Sequence, residues 1–275
     1  MDATKVGVLS FSLLRSMKET KMGIDGVTNF LVEQGITKME LNNWNLVLEG
    51  VPTTLATRGM RLLYKPDLIP FHTMVEALEN KRIAPVVLGI DGTLLMWRKD
   101  KMHYNYVKAW LDAGHDVGIP AARIFVGWSP LPASKQKHLA RTAACVAPLV
   151  KLAEERGMDL LFENYQGLSN DAEFVKALIE DVGSAHFGFV IDFANFKPKS
   201  LVYERIMQLK DEIKMVHAKT IDFNERGEET NVDYGKIASS LKHIEFDGTC
   251  LMEYIGKRDD IEGTKKTLEL IMRHF

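Results

Sequence analysis

Eight short runs rich in branched and aromatic residues recur along the chain, separated by longer stretches of a different pattern. The runs are KVGVLSF, ITKMELN, IAPVVLG, ARIFVGW, MDLLFEN, HFGFVID, IKMVHAK and CLMEYIG, and each reads as a β-strand. Between them, stretches such as DGVTNFLVEQG, DLIPFHTMVEALEN and LARTAACVAPLVKLAEERG repeat apolar residues every three or four positions, the spacing of an amphipathic helix. Gly35 and Gly157 follow two of these helical patterns and read as C-terminal caps. Parallel strands need a crossover connection, usually a helix, so this alternation implies a parallel sheet covered by helices. Eight such units in about 250 residues suit an α/β fold of the (β/α)8 barrel type. A doubly wound sheet is the structural rival, but LSFSLLRS follows the first strand where a Gly-x-Gly-x-x-Gly turn would be expected. Residues 42–70 are less regular and are expected to form an extended loop and short helix over one end. No Pro-, Gly- or Ser-rich linker divides residues 1–275, which are read as one barrel domain.

Composition narrows the chemistry. Of 275 residues, 46% are hydrophobic, enough for a large core, and the formal net charge is −2 with no block of Lys and Arg. That balance argues against nucleic acid as a partner. Two cysteines outside any Cys-x-x-Cys pair suit a reducing compartment. The N-terminal MDATKVGVLSFSLL lacks the layout of a signal peptide, and no run approaches the roughly 18 apolar residues of a membrane helix. The expectation is a soluble cytoplasmic protein with no membrane partner.

Four polar residues end four successive strands: Glu163 in MDLLFE, Asp192 in HFGFVID, His217 in IKMVHAK and Glu253 in CLMEYIG. Each follows the last by about one βα unit. In a barrel the C-terminal strand ends share one face, where active sites form, so the spacing brings the four to one side of the mouth. A lone carboxylate at such a place commonly caps a helix or meets solvent. Three together repel one another, and a divalent cation would offset that repulsion. Oxygen donors with one imidazole suit Mn²⁺ first, with Mg²⁺, Co²⁺ or Zn²⁺ as alternatives, and the absence of thiolates disfavours a structural zinc.

Other residues are weaker candidates. Glu40 and Asn42 end the second strand, where they could hydrogen-bond a polyol. Trp44, Trp97 and Trp128 follow strands two, three and four, as an apolar wall for a sugar face or as loop packing. Lys219, just beyond His217, could meet a substrate oxygen or phosphate, or form an ion pair. His186 opens the sixth strand and reads as structural. VLGIDGT holds two glycines but reads as a turn rather than a phosphate loop. NERGEETN reads as an exposed polar loop after strand seven.

At LLFEN, FVIDFAN, MVHAK and FDGTCLMEYIG, and in NVDYGKIASSLKHIEFDG before the last strand, the chain resembles the xylose-isomerase-like barrels, a superfamily of sugar isomerases and epimerases that includes ketose 3-epimerases. The resemblance implies one divalent metal held by Glu163, Asp192, His217 and Glu253. It also implies a sugar or polyol substrate and a cis-enediolate, with Glu163 and Glu253 as the acid/base pair in unassigned order. Two departures stand out. The family often carries His three residues after the strand-six aspartate, where this chain has Asn195, here a candidate for orienting a hydroxyl. It often carries Asp after His-x-Lys, where Thr220 stands. The first-half histidines of the related DNA-repair nucleases are not evident. Three other readings remain: an inosose-dehydratase-like lyase at the same site, a metal-assisted hydrolase, and a non-catalytic interaction subunit. A homo-oligomer is the base-rate expectation.

Overall fold

The computed structural model describes residues 3–18, 22–43, 68–92, 101–128 and 133–275. Trp44, Trp97 and most of the irregular stretch over 42–70 lie outside the described residues. The strands are β1 (Val6–Leu9), β2 (Lys38–Asn42), β3 (Ala84–Gly89), β4 (Ala121–Phe125), β5 (Asp159–Glu163), β6 (Phe187–Asp192), β7 (Ile213–Thr220) and β8 (Thr249–Tyr254). They hydrogen-bond in sequence order, and β8 pairs with β1 in parallel, so the sheet is a closed (β/α)8 barrel. All eight expected strands are present. Both faces of such a sheet are covered, which is why β6, FGFVID, is buried at every position.

The helices that alternate with the strands are α1 (Gly23–Glu33), α2 (Ile69–Asn80), α3 (Lys101–Asp116), α4 (Lys135–Glu154), α5 (Ala172–Val182), α6 (Leu201–Gln208), α7 (Tyr234–His243) and α8 (Asp260–His274). Several start on a side-chain cap. Asp171, Asp233 and Asp259 accept the N–H groups of Phe174, Lys236 and Glu262, satisfying donors that the first turn leaves unpaired. Gly35 and Gly157 close α1 and α4 with φ of 69° and 65°. After each, the next N–H reaches a carbonyl five residues back, Ile36 to Leu31 and Met158 to Ala153, the paired bonding of a Schellman cap.

The chain resolves into two compact units. The first comprises Met1–Leu41, Thr73–Pro85 and Ile191–Phe275; the second comprises Asn42–His72 and Val86–Val190. In the first, β7 and β8 pair over six register positions, and α8 buries Gly263, Thr264, Thr267, Leu270 and Ile271, a stripe at helical spacing. In the second, β4 and β5 pair from Ala121↔Asp159 to Phe125↔Glu163. There the loops after β4 and β5 meet at two glycines. The Leu168 N–H donates to the Gly127 carbonyl at 2.8 Å, and a Cβ on Gly167 would lie 2.4 Å from that same oxygen. This backbone approach holds the loop that follows Glu163.

His186 sits immediately before β6, its Nδ1 3.0 Å from the Asp159 carboxylate at the start of β5, in the structural position expected of it. NERGEETN differs from its expected exposure at one residue. Glu229 is buried, and its carboxylate accepts the N–H groups of Ile221 at 3.3 Å and Val232 at 2.8 Å. A carboxylate able to accept several bonds organises this loop from inside. Among the described residues, no helix is long and apolar enough to cross a membrane.

Candidate metal centre

Register fixes which side chains converge. In the β5–β6 ladder Glu163 faces Val190, and Asp192 follows two residues later, on the same side of its strand. In the β7–β8 ladder His217 faces Leu251 and Lys219 faces Glu253, again two residues apart along each strand. Glu163, Asp192, His217 and Glu253 each offer one ligand atom, these atoms lie within 4.8 Å of one another, and all four residues are buried.

Each member has an anchoring contact. In the first unit, the Asp192 Oδ1 accepts the Ala194 N–H at 2.8 Å, and its Oδ2 lies 2.8 Å from the Lys219 Nζ. The same ammonium lies 3.0 Å from the Glu253 Oε2 and donates to the Asn195 Oδ1 at 3.0 Å. The His217 Nε2 lies 2.9 Å from the Glu40 Oε2, with both side chains fully buried. A carboxylate can only accept, so the imidazole donates there, and that bond sets its tautomer and orientation. Burial pushes the Glu253 carboxyl above its ordinary value; Lys219 opposes the shift and Asp192 adds to it.

In the second unit, the Arg123 Nε lies 3.3 Å from the Glu163 Oε2, and its Nη1 lies 3.2 Å from the Asp91 Oδ1. The guanidinium packs 4.5 Å over the Phe125 ring, which meets Tyr165 at 4.9 Å. Asn43 supports Asp91 by accepting its N–H at 2.9 Å and donating to the Tyr106 hydroxyl at 2.8 Å.

The set fits a divalent ion by the chemistry of its donors: three carboxylates and one imidazole, buried and convergent, with no thiolate. The other candidates fall as follows. Asn42 is buried at the end of β2, Asn195 and Lys219 bond each other, and Trp128 is half-buried after β4. Glu40 is wholly buried against His217. Arg123 and Asp91 escaped the sequence reading, although a charge inside the strand AARIF was a usable signal. A buried guanidinium demands acidic partners.

The sequence profile of one family, described as xylose isomerase-like TIM barrel, matches residues 60–274. A comparison with curated proteins finds no match. Solved structures are similar over nearly their whole length. D-allulose 3-epimerase from Methylomonas sp. in complex with D-allulose is 16% identical, with a TM-score of 0.73 over 98% of this chain and 97% of that one. The probable 3-DHS dehydratase AsbF of Bacillus anthracis, involved in petrobactin synthesis, is 14% identical, with a TM-score of 0.69 over 98% of each chain. The IOLI protein with a binding zinc atom is 17% identical, with a TM-score of 0.70 over 98% of this chain and 99% of that one. At these identities the likeness is one of fold.

Proposed function

Because the chain belongs to the xylose isomerase-like TIM-barrel family, we propose that it is a divalent-metal-dependent epimerase or isomerase of a ketose or related polyol. The observation that carries this reading is the buried convergence of three carboxylates and one imidazole from four successive strands. Glu163, Asp192, His217 and Glu253 would hold the ion, Mn²⁺ first, with Mg²⁺, Co²⁺ or Zn²⁺ as alternatives. His217 would offer its Nδ1 to the ion, since Nε2 is bonded to Glu40. When bound, the metal would supply Lewis-acid polarisation of the substrate carbonyl and stabilise a cis-enediolate.

The chain's own groups move the proton. One of Glu163 and Glu253 removes it from the carbon beside the carbonyl, and the other returns one. Return to that carbon from the opposite face epimerises it; return to the former carbonyl carbon, with transfer between oxygens, isomerises the sugar. Arg123 holds the Glu163 carboxylate in one orientation. Asn42, Asn195 and Trp128 are proposed substrate contacts, as is Lys219. Glu40 contributes by fixing His217.

The likeness to a D-allulose 3-epimerase supports a ketose substrate. A dehydratase at the same site is the second reading, supported by the similar barrel of AsbF. It would expel a hydroxyl in place of returning the proton, and loss of water changes the product mass. The test is incorporation of solvent deuterium into ketoses by metal-loaded protein. Wild type should incorporate label beside the carbonyl with no change in formula. E163Q and E253Q should each lose at least about 100-fold in rate while keeping their circular dichroism. Unchanged rates in both variants would overturn the acid–base assignment.

A further inference from the structure

The Lys219 ammonium lies 2.8 Å from the Asp192 Oδ2 and 3.0 Å from the Glu253 Oε2, two carboxylates that the proposed function assigns to a metal. We propose that Lys219 is a resident counter-ion of these carboxylates, so that metal loading is a cation exchange whose affinity the lysine sets. The inference rests on the metal-dependent reading and deepens it.

Burial makes the arrangement consequential. Lys219 is 5% exposed and Asp192 is fully buried. Two buried carboxylates need compensating charge, and the lysine supplies it. The Asp192 Oδ1 is already bonded to the Ala194 N–H, which turns Oδ2 toward the lysine. A divalent ion held by the same two carboxylates would compete with the ammonium for their charge. Metal binding therefore works against the ion pairs that Lys219 already makes.

The surroundings give the ammonium a place to go without unfolding the strand. The Lys219 carbonyl accepts the Tyr234 hydroxyl at 3.0 Å, which pins the backbone, so a shift of the ammonium is made by the four-carbon side chain alone. Asn195 offers a neutral acceptor already 3.0 Å from Nζ. Asn195 is a neutral amide, so it presents no repelling charge to the ammonium. His217 stands apart from the exchange, since Glu40 holds its Nε2.

The test is Mn²⁺ binding, measured by calorimetry on metal-stripped wild type, K219M and K219Q. Removing the competing charge should tighten binding by about tenfold or more in both variants. Mn²⁺ at one fixed concentration should then raise the melting temperature of K219M further than that of wild type. K219Q keeps an uncharged donor for the two carboxylates, and carries the same expectation should K219M fail to fold without metal. If wild type binds Mn²⁺ and the variants bind it equally or more weakly, the exchange is wrong while the metal site stands. If no form binds Mn²⁺, Mg²⁺, Co²⁺ or Zn²⁺, the metal reading falls and the exchange falls with it.

Discussion

Arg123 shows how much of this centre is decided by single side chains. It is 2% exposed on β4, with Asp91 and Glu163 both in contact. Replacing it with Met should cost about 3–5 kcal/mol, because the buried Glu163 and the half-buried Asp91 lose their cation. Lys at the same place should recover part of that loss, since it restores the charge but not the forked geometry. Urea unfolding of R123M and R123K checks both outcomes. At this scale the four strand-end residues were legible from sequence, because a polar residue closing an apolar run is visible one strand at a time. Their partners were not. Glu40 and His217 are 177 residues apart, and nothing local in KMELN says that its carboxylate meets an imidazole. Lys219 was singled out beside His217, but its grip on Asp192 and Glu253 depends on the β7–β8 register and on side-chain direction.

At the scale of elements, the strands were readable because fully buried parallel strands appear as continuous apolar runs, and the helices because one face repeats every three or four residues. Less readable was how one helix is tied to the next. On α3, Asp112 meets Lys108 at 2.5 Å, one turn earlier, and the Arg156 Nε at 2.8 Å, just beyond α4. Burial alone would raise the Asp112 carboxyl, but the hydrogen bonds from Lys108 and Arg156 outweigh it and hold the group below its ordinary 3.8. A depressed carboxyl stabilises the fold above its unfolded value and loses that contribution as pH falls through the native value. Asp112 is more than a third exposed, so solvent screening limits D112N to about 0.5–1 kcal/mol. Wild type should exceed D112N in stability at neutral pH. The difference should shrink as pH falls below 3.8 and vanish beneath the native value, as followed by urea titrations across that range. The buried Glu229 in the loop after β7 escaped for another reason. NERGEETN is polar throughout, and only the folded backbone shows which carboxylate turns inward.

For the whole molecule, the barrel was legible because eight strand–helix units leave few ways to cover a parallel sheet, and closure from β8 to β1 bears that out. We propose that residues 1–275 act as one domain, because β3 and β6 each contribute residues to both compact units. The central claim is that four consecutive strand ends form one metal site. It is tested most directly by the metal content of freshly purified protein, compared between wild type and the double variant E163Q/E253Q and repeated after saturation with Mn²⁺. The account expects about one divalent ion per wild-type chain and a sharp loss in the variant. A wild type that stays empty with Mn²⁺, Co²⁺, Mg²⁺ and Zn²⁺ all supplied, or a variant that binds as much as wild type, would contradict it.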